Sequence, residues 1–386
     1  MIKTVFIEPD VTSYRIPLFN ALHKRLDDFT VCFTNGSAVP RSTFFSEMHF
    51  THIDLTDTHR KNKTKYPSFI IKSLRKSLAN LNGLRPDVLI SAGYSNPFSF
   101  ATLMHSKTHK VPLILASATT SKTVRHMDGL AGAYRNFFFS NTTAFVAYSN
   151  AASEFIHQID SNQKPVFLAR NAIDNQLYFH EVKRRKTKAD ELKQAFRLDG
   201  PVLLFVGRLE PEKGLDILSD AFEHAVRFIP DMHLVFVGDG SQRPTLESKL
   251  AKVPNVHFIG FTNPVDLPTY YYLADALVLP SIRETWGMVI NEAMASGLPI
   301  IISDACGAAH EAVIHEENGY VFPSGNTDAL SAFIVKLFSD TASRKRMSNQ
   351  SRRLISKYSI EKAADNIVMA VEYAYANERY DHVSKN

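Results

Sequence analysis

The chain has 386 residues, 45% hydrophobic and 22% charged, with 44 Lys and Arg against 39 Asp and Glu and a net charge of +5. This length predicts two domains of roughly 170–200 residues, and the ordinary composition excludes a disordered or fibrous chain. Two cysteines, Cys32 and Cys306, in opposite halves exclude a disulfide scaffold and predict a reducing, cytoplasmic compartment, while every apolar run is shorter than the ~18–20 residues of a membrane span.

The opening Met-Ile-Lys-Thr-Val-Phe-Ile reads as a first strand rather than a leader. In the first half, short apolar runs at 4–7, 30–33, 88–90, 113–116 and 144–147 read as strands. Amphipathic runs at 16–26, 66–81, 97–108 and 133–140 read as helices, and another begins at 150–158. The second half repeats this grammar, with strands at 202–206, 233–237, 256–259, 276–279 and 299–303. Its helices fall at 215–228, 244–253, 264–273, 287–295, 308–314 and 327–338. Buried strands alternating with helices predict parallel sheets covered on both faces. The pattern occurs twice, so the expected fold is α/β, two Rossmann-like domains whose parallel sheets face a cleft. The expected boundaries are an acceptor-binding domain over 1–170, a ligand-binding domain over 171–350, and a helical tail over 351–386 bracing the two.

The charge is unevenly spread. Residues 1–170 hold 20 Lys and Arg against 11 Asp and Glu, and the remainder holds 24 against 28. Much of the excess lies between Arg60 and Arg85, with Tyr66, Phe69, Ile70, Ile71, Leu74 and Leu78 interleaved. This stretch reads either as a solvated helix face or as a peripheral contact with an anionic membrane surface. Nothing beside the charge resembles a nucleic-acid motif.

The chemistry gathers in the second half. Glu284-Thr-Trp-Gly287-Met-Val-Ile-Asn-Glu292 follows the apolar run 276–279. A strand, a loop carrying Glu and Gly, then a helix is a device for holding an anion at a helix N-terminus. The amides of Gly287, Met288 and Val289 face such an anion, Glu284 accepts hydrogen bonds from hydroxyls, and Glu292 does so from another angle. Earlier, Gly207-Arg208-Leu-Glu-Pro-Glu-Lys213-Gly214 lies between a strand and a helix. Gly207 lets backbone approach closely, and Arg208 and Lys213 together neutralise a diphosphate. Gly238-Asp-Gly240 reads as a tight turn. Gly260, just past a strand, reads as a turn or as backbone facing a base. An anion and a polyol gripped side by side describe a sugar nucleotide.

In the first half, Arg15 follows the first strand and reads as a helix-start residue in solvent or as a contact for a diphosphate or acidic acceptor. The loop Ser117-Ala-Thr119-Thr-Ser121, with His126 just beyond, offers hydroxyls for an acceptor. No nucleophile elbow, Cys/His metal spacing, Walker loop or dinucleotide fingerprint occurs. No metal and no cofactor beyond the donor substrate is expected.

Taken in order, Gly-Arg-Leu-x3-Lys-Gly (207–214), Gly-Asp-Gly (238–240), Glu-x7-Glu (284 and 292) and Gly-Leu-Pro-Ile (297–300) resemble the donor-binding domain of the retaining glycosyltransferases of family four, the glycosyl transferases group 1, which have the GT-B fold. Asn171-Ala-Ile-Asp174 resembles the family's interdomain Asn-Gly-Val-Asp, and Tyr14–Asn20 a bacterial polysaccharide-assembly subset. The resemblance covers about 170–330. It implies that Arg208 and Lys213 grip the donor diphosphate, Glu284 the transferred sugar and Glu292 the ribose, without a bound metal. It implies transfer with retention from a nucleotide diphospho-sugar to a glycan or lipid-linked acceptor in surface-polysaccharide synthesis such as that of lipopolysaccharide, at the inner face of the membrane. Many members carry a His in the loop that here reads 117–121, and this chain has none there. Two rival readings are a nucleotide-sugar epimerase of the same architecture and a non-catalytic nucleotide-sugar-binding subunit.

Overall fold

The structure, a computed structural model, describes residues 1–34, 47–55, 67–124 and 127–383. It divides into two compact units: Met1–Ala172 with Ile360–Asn386, and Ile173–Ser359.

The first unit is built on strands β1 (Lys3–Glu8), β2 (Asp28–Phe33), β3 (Thr51–Asp54), β4 (Val88–Ala92), β5 (Leu113–Ser117), β6 (Ala144–Ala147) and β7 (Val166–Leu168). Among the described residues they form one parallel sheet in the order β3-β2-β1-β4-β5-β6-β7. Its helices are α1 (Ile16–His23), α2 (Pro67–Leu84), α3 (Pro97–His109), α4 (Gly129–Ser140) and α5 (Asn150–Ile159). Alternate residues of each strand feed opposite faces, as period-two geometry requires. Phe6, Val31, Ile90 and Val146 pack on one side, and Val5, Leu89, Leu115 and Phe145 on the other. Both faces are covered, which is why these strands read as continuous apolar runs.

The second unit holds helices α6 (Asn175–Arg184) and α7 (Lys186–Ala195), then β8 (Val202–Val206), α8 (Leu215–Ala225), β9 (His233–Val237), α9 (Arg243–Leu250) and β10 (Val256–Gly260). It continues with α10 (Leu267–Leu273), β11 (Ala276–Leu279), α11 (Met288–Ser296), β12 (Ile300–Ser303), β13 (Gly319–Phe322), α12 (Thr327–Ser339) and α13 (Thr341–Ile355). Its strands are parallel in the order β10-β9-β8-β11-β12-β13. All five residues of β8 and of β9 are buried.

The tail that the sequence reading keeps as one segment is divided. Helix α13 stays with the second unit, whereas α14 (Ile360–Val383) belongs to the first. Ile360, Ala364, Ile367, Val371 and Ala374 of α14 are buried in the cluster that also holds Phe6 and Phe19. The helix expected over 308–314 is absent, and turns take its place. His310 sits at φ +65°, which breaks a right-handed helix, and the Asn318 side chain accepts from the Ile314 amide at 2.8 Å. Cys32 and Cys306 are both buried and unbridged, and burial pushes each thiol up to about 12.

Candidate functional site

Parallel strands end on one edge, so the loops after β8, β9, β10 and β11 gather at the carboxyl edge of the second sheet. The loop after β8 is zipped to the loop after β9. Gly207 donates to the Val237 carbonyl at 3.0 Å, and Leu209 to that of Asp239 at 2.9 Å. It then makes a short 3-10 turn, Pro211–Lys213, closed by Gly214 at φ +65°. A Cβ at Gly214 would stand 2.3 Å from the Pro280 carbonyl oxygen, so only glycine lets this turn rest on the end of β11. The Ile282 amide donates to the Glu212 carbonyl at 2.9 Å from the other side.

This clamp sets the central contact. Lys213 Nζ donates to Glu284 Oε2, and the two side chains are only 15% and 19% exposed. Glu284 is held through its backbone as well, since its carbonyl accepts from the Gly307 amide at 3.0 Å. Three residues on, Gly287 takes φ +92° and opens α11. The amides of Gly287, Met288 and Val289 lie where a helix leaves its first N–H groups without intrahelical partners. A cation, a carboxylate and a helix N-terminus are thereby brought to one strand edge from segments 71 residues apart.

Arg208 shares the loop with Lys213 but is 70% exposed, its Nη2 donating to Glu212 Oε1 at 2.8 Å. Gly260 ends β10 with φ +87°, and its carbonyl accepts from the Gly238 amide at 2.9 Å. The space that a Cβ would take at Gly260 is bounded by Arg243 Nη1 at 3.1 Å. Arg243 escaped the sequence reading. It is held by Glu247 at 2.8 Å and Asp239 at 3.5 Å, and its only sequence cue is its place at the start of a helix after a Gly-Asp-Gly turn.

Glu292 follows Met288 by four residues and so shares its helix face. Its Oε2 accepts from the Tyr271 hydroxyl at 2.6 Å, and the nearby Tyr178 phenol also favours its ionised form. Burial raises the carboxyl to about 7, and the two phenols offset part of that rise. Both tyrosines are raised well above the ordinary phenol value, burial first and the Glu292 charge second. The sequence reading named neither, because they come from α10 and α6.

In the first unit, Arg15 does not lie open to solvent. Its guanidinium stands 4.2 Å over the Tyr148 ring, and its Nε is 4.0 Å from Glu8 Oε1. Glu8 ends β1 on the same sheet face, and burial raises its carboxyl while Arg15 pulls it back. Ser117 ends β5, is buried, and its Oγ accepts from the Thr119 amide at 3.1 Å. Thr119 is half-buried. His126 lies outside the described residues, as do residues 60–66 of the basic stretch that runs from Arg60 to Arg85.

Two parallel Rossmann-like sheets, one with a cation–carboxylate pair at a helix N-terminus, define an α/β protein of the GT-B class. Residues 186–354 match the family glycosyl transferases group 1, and the second unit is similar to its members. An uncharacterized glycosyltransferase of Methanocaldococcus jannaschii is 34% identical over 181 residues, 46% of each chain. The chain therefore spans about half the length of the curated relatives it matches. The structure of Alr3699/HepE of Anabaena with UDP and glucose superposes with a TM-score of 0.76 at 18% identity, covering 96% of this chain and 100% of that one. WaaG, described as a glycosyltransferase involved in lipopolysaccharide biosynthesis, superposes with a TM-score of 0.67 at 18% identity, covering 94% and 98%. At such identities these two neighbours speak for the fold.

Proposed function

We propose that the chain is a retaining glycosyltransferase that moves a hexosyl group from a nucleotide diphospho-sugar to a glycan or lipid-linked glycan of the cell surface. The observation that carries this reading is the Lys213–Glu284 pair beside the N-terminus of α11. An ammonium has three donors, so Lys213 serves a diphosphate oxygen while it still holds Glu284. The second oxygen of Glu284 then accepts from a sugar hydroxyl, and the amides of Gly287–Val289 face the anion. Arg208 exchanges Glu212 for phosphate, and Glu292 accepts from ribose hydroxyls. UDP and glucose in the Anabaena neighbour and the lipopolysaccharide role of WaaG lend support to a nucleotide-sugar donor and a surface glycan.

In this reading the bond between the anomeric carbon and the diphosphate oxygen breaks as the acceptor oxygen bonds that carbon on the same face. The acceptor proton passes to the departing phosphate. Lys213 and Arg208 meet the charge that gathers on the leaving group, so no resident metal is needed. The first unit binds the acceptor, and the enzyme works at the inner face of the membrane.

The test begins with thermal melting against UDP-, GDP- and ADP-sugars and their free nucleotides, since a donor that binds the folded state raises Tm. Transfer with the stabilising donor follows, with the anomeric configuration read by nuclear magnetic resonance and EDTA present in a parallel reaction. An inverted product refutes retention. Loss of transfer in EDTA refutes metal independence. An altered sugar without an acceptor returns the epimerase reading, and binding without turnover the non-catalytic one.

A further inference from the structure

We propose that a cavity at the amino edge of the second sheet binds a small phosphomonoester, the phosphate of a short polyol. The strands are parallel, so the residues just before β11 and β12 lie on the edge opposite the loops of the candidate donor site. There the ends of α10 and α11 and the first turns of α13 surround about 340 Å³, with Asp275, Pro299, Arg344, Lys345 and Arg352 among the walls. That volume falls at the lower end of small-molecule sites. Helix α11 has nine residues, so about 13 Å of helix separates its first amides from the cavity at its far end.

The walls carry a surplus of positive charge. Asp275, the acid among the lining residues, is already engaged: Oδ2 accepts from the Val202 amide at 2.9 Å, and Oδ1 stands 3.8 Å from Arg344 Nε. Arg344, 17% exposed, also donates to the Phe338 carbonyl at 3.1 Å. Lys345 and Arg352 remain, and neither is ion-paired among the described residues. Uncharged groups hold Arg352 in place. Its Nη2 donates to the Ser296 carbonyl and its Nη1 to Ser348 Oγ, each at 3.3 Å. Its guanidinium fills the space beside Gly297, where a Cβ would stand 2.1 Å from Cζ, and Gly297 itself takes φ +85°. The first residue of Gly-Leu-Pro-Ile thus makes room for a cation. Ser296, also on the wall and 6% exposed, has a hydroxyl with no hydrogen-bond partner in the protein, a donor that a phosphate oxygen would satisfy. Two surplus charges match a phosphomonoester dianion better than a lone carboxylate. Tyr272 and Thr341 line the cavity besides, and such hydroxylated residues suit a polyol rather than an acyl chain.

The site is tested by titration calorimetry on the full chain at fixed ionic strength, with glycerol 3-phosphate, inorganic phosphate and glycerol as probes. Binding here needs no nucleotide and no turnover, so its failure leaves the glycosyl-transfer reading standing, and the converse holds. Glycerol 3-phosphate is expected to bind more tightly than inorganic phosphate, and glycerol to give no heat. The double variant Lys345→Gln/Arg352→Gln is expected to bind glycerol 3-phosphate about tenfold more weakly or worse. Lys345→Gln alone changes an exposed side chain, so it keeps the Tm of the parent while the affinity falls several-fold. Lys213→Ala, at the opposite edge of the sheet, is expected to bind glycerol 3-phosphate as the parent does. Four results overturn the proposal: no binding of glycerol 3-phosphate, inorganic phosphate bound as tightly as the ester, an affinity that both Lys345 variants retain, or an affinity that Lys213→Ala abolishes.

Discussion

Replacing Glu292 by Gln separates a structural from a functional role for this carboxyl. In the unliganded protein Glu292 ionises near 7 where a solvated glutamate ionises near 4.5, because α11 buries it against Tyr271 and Tyr178. The folded state thus holds the proton more tightly than the unfolded chain. Stability from this group is fully present below about pH 4.5 and is lost as pH rises through about 7. The ceiling on that loss is about 3 kcal/mol from the two ionisation values, and the residue's partial exposure lowers it to about 1–2 kcal/mol. Gln keeps an acceptor for the Tyr271 hydroxyl and cannot ionise. Urea unfolding should therefore find Glu292→Gln close to the parent at about pH 5 and more stable by about 1–2 kcal/mol at about pH 8. If the ionised carboxylate also receives ribose hydroxyls, nucleotide binding pulls its pKa down and releases a proton near neutrality. Calorimetry in buffers of different ionisation enthalpy reads that proton directly, and Glu292→Gln should abolish it along with most of the affinity. Parallel pH dependence of stability in both proteins would refute the burial argument. Unchanged nucleotide affinity in Glu292→Gln would remove Glu292 from the donor site.

Lys213→Ala leaves Glu284 largely buried without its cation, and should cost about 1–3 kcal/mol in urea melts. The double variant Lys213→Ala/Glu284→Ala should recover part of that loss. Strict additivity across the cycle would mean that the pair is not coupled. Transfer in Lys213→Ala should fall about 100-fold or more, and full activity in the folded variant would remove Lys213 from the donor site. Arg208→Ala changes a side chain that is 70% exposed. It should leave stability within about 0.5 kcal/mol while lowering transfer with the donor saturating, and an unaltered rate would assign Arg208 to its Glu212 pair alone. Gly287→Ala forces a side chain into φ +92° with its Cβ 2.7 Å from Leu279 Cδ2. It should cost about 1–3 kcal/mol, with nucleotide affinity falling alongside, and a neutral substitution would show that the turn into α11 tolerates another conformation.

What the sequence carried was local grammar. The order strand, glycine loop, helix around Gly287 is written in consecutive residues, because a helix start needs only its own φ values and apolar spacing. The apolar face of α14 was legible for the same reason. Ile360, Ala364, Ile367 and Val371 follow helical spacing wherever the helix docks, yet nothing local says that it returns to the first unit while α13 stays in the second. Short strands escaped where a neighbour, not the strand itself, dictates them. In β13, Gly319 is fixed by the Ile300 carbonyl oxygen, which would stand 1.9 Å from a Cβ there. Adjacency was illegible in the site as well. Lys213 meets Glu284 because β8 lies beside β11, although β9 and β10 come between them in the chain. Arg15 meets Glu8 at the end of β1 and Tyr148 just past β6, although β4 and β5 lie between those strands in the sheet. The two glutamates of Glu-x7-Glu make the point most sharply. They are one residue type eight positions apart, but one is met by a lysine from the loop after β8 and the other by phenols from α10 and α6. Sheet order and helix packing, rather than the motif, thus give each carboxylate its partners, and with them its protonation and its share of the chemistry.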